Sequence, residues 1–367
     1  MNKKIRVAVI FGGQSTEHEV SRVSAESVIR NINRDKFDVV MIGITKEGKW
    51  LNYNGPVEKL GSGEWEKAAE QNQIAYSTQG LLPEASARSI FSAAGVEVSD
   101  NKGIDVVFPV LHGANGEDGT IQGLFELAGI PYVGPGVLAS AVGMDKAFTK
   151  IVFEKEGIPQ GKYLVLNRKS LKTDLDDVIL KVEGTLEYPC FVKPSNSGSS
   201  VGVGKARNRQ ELTDTLFEAA KYDRKLLVEE FIDGREVECA VLGNDDPVAS
   251  TVGEVVPCNE FYDYKAKYID NNSKIIIPAD LPDSTINEIR DYAVRAFKSL
   301  DCAGLSRVDF FVHKDSGNVY INEINTLPGF TSISMYPKLW EASGLPYDEL
   351  IEKLIDLAIE RFNEKVI

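Results

Sequence analysis

The stretch Leu305-Ser-Arg-Val-Asp-Phe-Phe-Val312, followed by Asp315-Ser-Gly317 and then Val319-Tyr-Ile-Asn-Glu-Ile-Asn325, reads as two strands joined by a turn. Strict alternation places Arg307, Asp309 and Phe311 on one face of the first strand, and Val319, Ile321, Glu323 and Asn325 on one face of the second. A three-residue loop with Gly317 in its left-handed position is a common hairpin connection. That register sets Asp309 directly opposite Glu323. Like charges facing each other across a strand pair cost energy, so something positive belongs between them, and Arg307 and a bound cation are the candidates. Two carboxylates and an amide oxygen suit hard Mg²⁺, which takes a few protein oxygens together with substrate phosphates. A surface hairpin with ordinary charges is the alternative on this stretch alone.

Outward from the hairpin, the chain divides into three regions. In the first, Ile5-Arg-Val-Ala-Val-Ile-Phe11 is a near-continuous apolar strand, the mark of a sheet covered on both faces. A turn at Gly12-Gly-Gln-Ser15, a helical pattern over 19–33, a strand over 37–44, a buried strand over 104–110 and a helix over 119–128 follow. This alternation predicts a doubly wound parallel sheet. The stretch 46–99 is uneven in composition, and the order of its elements is not read from the sequence. The second region carries helices within 137–157, the strand Cys190 to Lys193, the loop Pro194-Ser-Asn-Ser-Gly-Ser-Ser200 and a helix over 208–221. The third has successive strands over 226–231, 235–243 and 248–257, a polar aromatic loop over 259–273, a helix over 284–300, the hairpin, and a closing amphipathic helix. The expected domains are 1–134, an α/β substrate-binding unit; 135–225, with the Ser/Gly loop; and 226–367, with the acidic hairpin.

Composition narrows the function. A length of 367 residues, 43% hydrophobic and 26% charged content describe an ordinary globular chain with room for several cores. The net charge of -14 argues against a nucleic-acid scaffold, while leaving room for a few local lysines to bind phosphate. Cys190, Cys239, Cys258 and Cys302 form no CxxC pair and only three histidines occur, so zinc is not expected. Sparse cysteines, no apolar run near ~20 residues and no signal core point to the cytoplasm, with no membrane partner.

Four segments can carry chemistry. The Ser/Gly loop follows the Lys193-ended strand and offers backbone N–H groups and hydroxyls to phosphate oxygens; a flexible connector is the rival reading. Leu111-His112-Gly113 follows a buried strand, where ligands bind in open α/β sheets, and His112 there could orient a substrate carboxylate or move a proton. Glu17, in the first turn, could hold an ammonium, or could simply complement a helix N-terminus. Lys146 and Lys193 are possible phosphate clamps, and Glu229 and Glu236 flank a hinge-like segment whose carboxylates could bind ribose hydroxyls. A further match, Gly134-Pro-Gly-Val-Leu-Ala139, fits GxGxxA, but its preceding strand is short and lies far from the first βαβ unit, so it reads as a turn opening a helix.

Taken together, these residues resemble the D-alanine–D-alanine ligase family of the ATP-grasp superfamily. The resemblance spans nearly the whole chain. It rests on Phe11-Gly-Gly-Gln-Ser-Thr-Glu-His-Glu-Val-Ser21, Leu111-His-Gly113 with Gly116-Glu-Asp-Gly-Thr120, and Met144-Asp-Lys146. It continues through Val192-Lys-Pro-Ser-Asn-Ser-Gly-Ser-Ser-Val-Gly202, Phe261-Tyr-Asp-Tyr-Lys-Ala-Lys-Tyr268, Arg307-Val-Asp309 and Asn322-Glu-Ile-Asn-Thr-Leu-Pro-Gly-Phe-Thr-Ser332. The resemblance implies an N-terminal doubly wound parallel-sheet domain followed by a two-subdomain ATP-grasp fold. It implies that Lys146, Lys193 and Lys267 meet ATP phosphates and that Glu229, Phe231, Ile232 and Glu236 meet adenine and ribose. It makes Asp309, Glu323 and Asn325 ligands of Mg²⁺ (or Mn²⁺). Glu17 would hold the first substrate's ammonium, linked to Ser199 and Tyr268. Arg307 and the Gly329 amide would stabilise an oxyanion, and Ser334 and Lys338 would hold the second substrate's carboxylate.

The implied reaction joins two D-alanines through an acyl phosphate, for peptidoglycan precursor synthesis, in a cytoplasmic homodimer. A carboxylate is a poor acyl donor, so ATP must phosphorylate it first. Water must then be kept out, and the Ser/Gly loop and segment 259–273 are the expected lid. A Tyr268 hydroxyl goes, in this family, with an amine acceptor rather than a hydroxy acid. The alternatives are a D-alanine–D-lactate or D-alanine–D-serine ligase of the same family, an ATP-grasp ligase for another amino acid, an oxidoreductase resting on the Gly134–Ala139 match, and a non-catalytic binding protein.

Overall fold

In the computed structural model the described residues are 3–73, 103–198, 201–256 and 274–365. Among them the elements run, in chain order, β1 Ile5–Gly12, α1 His18–Asn31, β2 Phe37–Ile44, β3 Trp50–Tyr53, α2 Glu58–Ser62, α3 Trp65–Gln73, β4 Val106–Val110, α4 Thr120–Ala128, α5 Val137–Met144 and α6 Lys146–Lys155. They continue β5 Tyr163–Asn167, α7 Arg168–Thr173, α8 Leu175–Glu183, β6 Cys190–Pro194, β7 Gly204–Ala206, α9 Arg209–Ala219 and β8 Lys225–Glu230. The remainder are β9 Gly234–Gly243, β10 Val248–Val256, β11 Lys274–Ile276, α10 Asp283–Ser299, β12 Gly304–His313, β13 Val319–Asn325, α11 Met335–Ala342 and α12 Tyr347–Glu364.

The first sheet has the order β3-β2-β1-β4. β1 lies parallel to β2 and β4, while β3 adds an antiparallel edge, so the sheet is mixed where the sequence predicts parallel strands only. β1 is buried on both faces, as its unbroken apolar run requires. Ala8 and Ile10 pack with Ile121 and Phe125 of α4. Val7, Val9 and Phe11 pack with Ala25, Val28 and Ile29 of α1 and with Trp65. Leu350, Leu354 and Ile355 of α12 share that second core, so the last helix of the chain closes over the first sheet.

A second sheet, β5-β8-β6-β7, is antiparallel and packs on α7, α8 and α9. β8 reads in the sequence as the opening strand of the third region. It pairs instead with β5 and β6, because hydrogen-bond partners are chosen by non-local packing that periodicity does not encode. The third sheet, β11-β10-β9-β12-β13, has α10 against one face through Ile289, Ala293 and Phe297.

The hairpin β12–β13 does set Asp309 opposite Glu323. It reaches that pair differently from the expected alternation. The His313 N–H donates to the Asn318 carbonyl at 2.9 Å, which closes a four-residue loop rather than three, with Gly317 at φ 70°. A one-residue bulge at Asn322 then restores the register, since Phe310 pairs with Ile321 and Asp309 with Glu323. The bulge shifts the phase of β13. Val319, Ile321 and Ile324 enter the core under α10, while Asn322, Glu323 and Asn325 are left partly open.

Candidate active site

A cleft of about 1390 Å³ is lined by strands of the second and third sheets, by α1 and by the turns at Glu17 and His112 that follow β1 and β4. At one end stands the first turn. Gly12 takes φ 88° with its backbone against the Ile44 carbonyl, where a Cβ would lie 2.2 Å away. Its N–H donates to Ser21 Oγ at 2.7 Å, and Ser21 in turn donates to the Val110 carbonyl, so the ends of β1 and β4 are tied together. Ser15 Oγ donates to the His112 carbonyl at 2.8 Å and receives the Glu17 N–H at 3.1 Å. The buried Glu17 carboxylate lies close against Gly113 and Gly198; a Cβ would come within 2.6 Å of Glu17 Oε2 at the first and 2.9 Å at the second.

His112 is buried, with Nδ1 3.1 Å from the Leu327 carbonyl and Nε2 3.2 Å from Ser24 Oγ. Glu117 lies 3.6 Å from Nδ1. Burial alone would depress the imidazole pKa, but the Glu117 carboxylate, the Glu17 charge and the Leu327 carbonyl together raise it. Burial raises the Glu117 carboxyl as well, His112 notwithstanding, so the pair holds its protons more tightly than free groups do.

The middle of the cleft is cationic. Asp145 caps α6 by accepting from the Ala147 and Phe148 N–H groups, and it also accepts from Ser195 Oγ at 2.7 Å. The Lys146 N–H donates to the Ser195 carbonyl at 3.0 Å and Lys146 Nζ to the Ser197 carbonyl at 2.8 Å, which binds the helix start to the Ser/Gly loop. Lys146 Nζ lies 3.7 Å from Glu323. Lys193 Nζ is 2.7 Å from Glu229 and 3.2 Å from Asn322 Oδ1. Lys150, which the sequence reading passes over, sits 2.6 Å from the other Glu229 oxygen. Both oxygens of Glu229 are therefore engaged by lysines. Burial alone would raise the Glu229 carboxyl, but the two ammonium charges overrule it and hold it near 2.

Phe231, Ile232 and Glu236 line the cleft beyond the lysines. Phe231 packs near Phe191, with ring centroids 6.2 Å apart, and Lys205 Nζ lies 4.2 Å over the Phe231 ring. At the hairpin, Arg307 donates to Asp309 through Nε and Nη2, both at 2.7 Å, and its Nε is 2.8 Å from Glu238. Asn325 Nδ2 donates to Asp309 Oδ2 at 3.0 Å. Arg307, Glu323 and Asn325 line the cleft, and Asp309 is buried. Three carboxylates, at 238, 309 and 323, thus gather around one arginine and the end of one lysine. Among the described residues no three His, Cys, Asp or Glu side chains are arranged as a metal centre. A cation here would rest on two carboxylates, an amide oxygen and phosphate oxygens, an all-oxygen set that fits Mg²⁺ or Mn²⁺.

Ser334 precedes α11, with Lys338 one turn on, and follows the stretch whose Leu327 carbonyl meets His112. Ser334 Oγ accepts from the Thr331 N–H at 3.0 Å, and a Cβ on Gly329 would lie 3.1 Å from it. Both Gly329 and Lys338 line the cleft. A helix N-terminus beside a lysine is an anion site.

Glu17, His112, Lys146, Lys193, Glu229, Phe231, Ile232, Glu236, Arg307, Glu323, Asn325, Gly329, Ser334 and Lys338 all face this one cleft. Ser199, Lys267, Tyr268 and the expected lid segment 259–273 lie outside the described residues. Lys150, Glu238, Glu117 and Lys205 were missed. Lys150 had a signal, because it stands four residues after Lys146 on the same helical face. Glu238 shares β9 with Arg235 and Glu236, so its charge did not set it apart.

The sequence matches the family described as D-ala D-ala ligase N-terminus over residues 6–135 and the one described as D-ala D-ala ligase C-terminus over 152–356. It is 66% identical over 367 residues to a D-alanine–D-alanine ligase of Ruminiclostridium cellulolyticum, covering 99% of this chain and 97% of that protein. Identity is also 66%, over 378 residues, to a D-alanine–D-alanine ligase of Acetivibrio thermocellus, covering 100% of this chain and 99% of that protein. The D-alanine–D-alanine ligase structure from Coxiella burnetii superposes with a TM-score of 0.83 at 37% identity, covering 99% of this chain and 96% of that one. The VanG D-Ala:D-Ser ligase from Enterococcus faecalis superposes at 0.82 with 40% identity, covering 97% and 100%. The chain belongs to the D-alanine–D-alanine ligase family, and its mixed first sheet and two antiparallel sheets form that family's ATP-grasp architecture.

Proposed function

We propose that the residues gathered in this cleft perform the ligation of two D-alanines to D-alanyl-D-alanine as follows. The enzyme is an ATP-dependent ligase that supplies this dipeptide for peptidoglycan precursors. The observation that carries the reading is that one cleft gathers an acid for an ammonium, lysines for phosphates, an arginine for the reacting centre, and a helix N-terminus for a carboxylate.

Glu17 holds the ammonium of the first D-alanine, and His112 orients its carboxylate. Phe231, Ile232 and Glu236 receive adenosine, and Lys146 and Lys193, with Lys267, draw charge from the phosphates as a carboxylate oxygen attacks the γ-phosphorus and ADP leaves. Ser334 and Lys338 hold the carboxylate of the second D-alanine. Its neutral amine attacks the acyl carbon, and Arg307 and the Gly329 N–H stabilise the tetrahedral oxyanion. Removing one such donor typically costs ~3 kcal/mol. The amide forms as inorganic phosphate departs and the amine gives up a proton. Asp309, Glu323 and Asn325 would hold Mg²⁺ or Mn²⁺, whose charge would offset that of the phosphates. Ser199 and Tyr268 complete the ammonium site, and the Tyr268 hydroxyl favours an amine acceptor. The working form is a cytoplasmic homodimer of chains divided at about 134 and, since β8 belongs to the second sheet, after 230; among the described residues no helix is long and apolar enough to cross a membrane.

The test follows an oxygen atom. D-Alanine labelled with ¹⁸O in its carboxylate should pass one labelled oxygen to each inorganic phosphate released. Unlabelled phosphate beside dipeptide would exclude the acyl phosphate.

A further inference from the structure

We propose that Lys150 is a positioning residue for the nucleotide: it holds one oxygen of Glu229 so that Lys193 can leave Glu229 for the ATP phosphates. This rests on reading the cleft as the ATP site. Three charged side chains meet here from three elements, Lys150 from α6, Lys193 from β6 and Glu229 from β8. Lys150 is 3% exposed and Glu229 6%. Each ammonium takes a different carboxylate oxygen, at 2.6 and 2.7 Å. Lys150 Nζ also lies 5.5 Å from the Tyr163 ring centroid. Lys193 differs in having an alternative neighbour, Asn322 Oδ1, on the hairpin side.

The charge count gives the mechanism. Two lysines and one carboxylate leave a net charge of one positive unit facing the cleft. Were Lys150 absent, Glu229 and Lys193 would form a neutral pair. A phosphate could then recruit Lys193 only by leaving a buried carboxylate without a partner, and such a charge is strongly unfavourable. With Lys150 in place, Glu229 stays paired whichever way Lys193 turns. Nucleotide affinity thus depends on a lysine that need not touch the nucleotide.

The experiment measures binding of ATP and of adenosine by calorimetry to the full-length protein, with Lys150→Met, Lys150→Arg, Glu229→Gln and the Lys150→Met/Glu229→Gln double variant. Lys150→Met should weaken ATP binding roughly 10- to 100-fold, the scale of one hydrogen bond to a charged group, and adenosine binding less than about twofold, because adenosine has no phosphate for Lys193. Lys150→Arg, which keeps the charge, should bind ATP nearly as the wild type does. In the Glu229→Gln background the Lys150→Met change should have little further effect, since no buried carboxylate remains to be left alone. If Lys150→Met does not fold, Lys150→Gln replaces it, having an amide for the Glu229 oxygen and no charge. Equal losses for ATP and adenosine, or an undiminished loss in the Glu229→Gln background, would overturn the proposal. A wild-type protein that binds no ATP would instead overturn the reading of the cleft.

Discussion

Glu229 shows how far a single residue departs from what its neighbours in sequence suggest. Read along the chain, Glu229 is an acid after an apolar strand, suited to ribose. Folded, it is the shared counter-charge of Lys150 and Lys193. Its carboxyl is held near 2, below the ordinary 4.5, so the folded state binds its proton less readily than the unfolded chain. The resulting stability is fully present above pH 4.5 and is lost as the pH falls toward 2, a contribution of about 3 kcal/mol. Urea unfolding of the wild type and of Glu229→Gln should therefore differ by a constant amount above pH 5 and converge steadily below 4.5. A pH-independent difference would place the carboxylate elsewhere. Single residues with one dominant chemistry were the most legible part of the site. Arg307, Glu323 and Lys193 stand in the cleft that their motifs point to. Lys150 and Glu238 were not singled out because each acts on a side chain distant in sequence: Lys150 meets Glu229 of β8, and Glu238 meets Arg307 on the neighbouring strand β12, and no local pattern marks such a partner.

Elements were legible where their periodicity was long. The buried run of β1 and the stripe of α10 follow from apolar spacing, and the pairing of Asp309 with Glu323 is as expected although the loop and register that produce it are not. The bulge at Asn322 does not. It contains neither glycine nor proline, and only the tight four-residue loop makes an extra residue necessary. Its consequence is chemical, because it turns Asn322 toward Lys193 while Ile321 and Ile324 stay in the core. Deleting Asn322 should leave Asp309 opposite Glu323 and keep the fold, yet raise KM for ATP roughly 2- to 10-fold, as expected for one lost hydrogen bond. An unchanged KM would remove the bulge from nucleotide binding. The assignment of β8 to the second sheet was illegible for another reason: it depends on pairing with β5 and β6, about 60 and 36 residues upstream, and sequence patterns do not rank such distant partners.

At the scale of the molecule, the cleft exists because the ends of the chain meet. α12 packs on the first sheet through Leu350, Leu354 and Ile355. Arg361 donates to the Gly134 and Tyr132 carbonyls, and Lys365 pairs with Glu126. The first turn with Glu17 is thereby fixed against the sheet that bears Arg307. Leu354→Ala should cost about 2–5 kcal/mol in unfolding, lowering ADP release with D-alanine in proportion to the fraction folded. A loss under 1 kcal/mol would mean that α12 is not part of the shared core. The most direct measurement for the whole account is release of ADP from ATP and Mg²⁺ with D-alanine, L-alanine or D-lactate, read alongside the product. The account predicts one ADP per D-alanyl-D-alanine formed, with L-alanine and D-lactate near background. ADP release that ignores D-alanine, or D-alanine consumed without dipeptide, would contradict it.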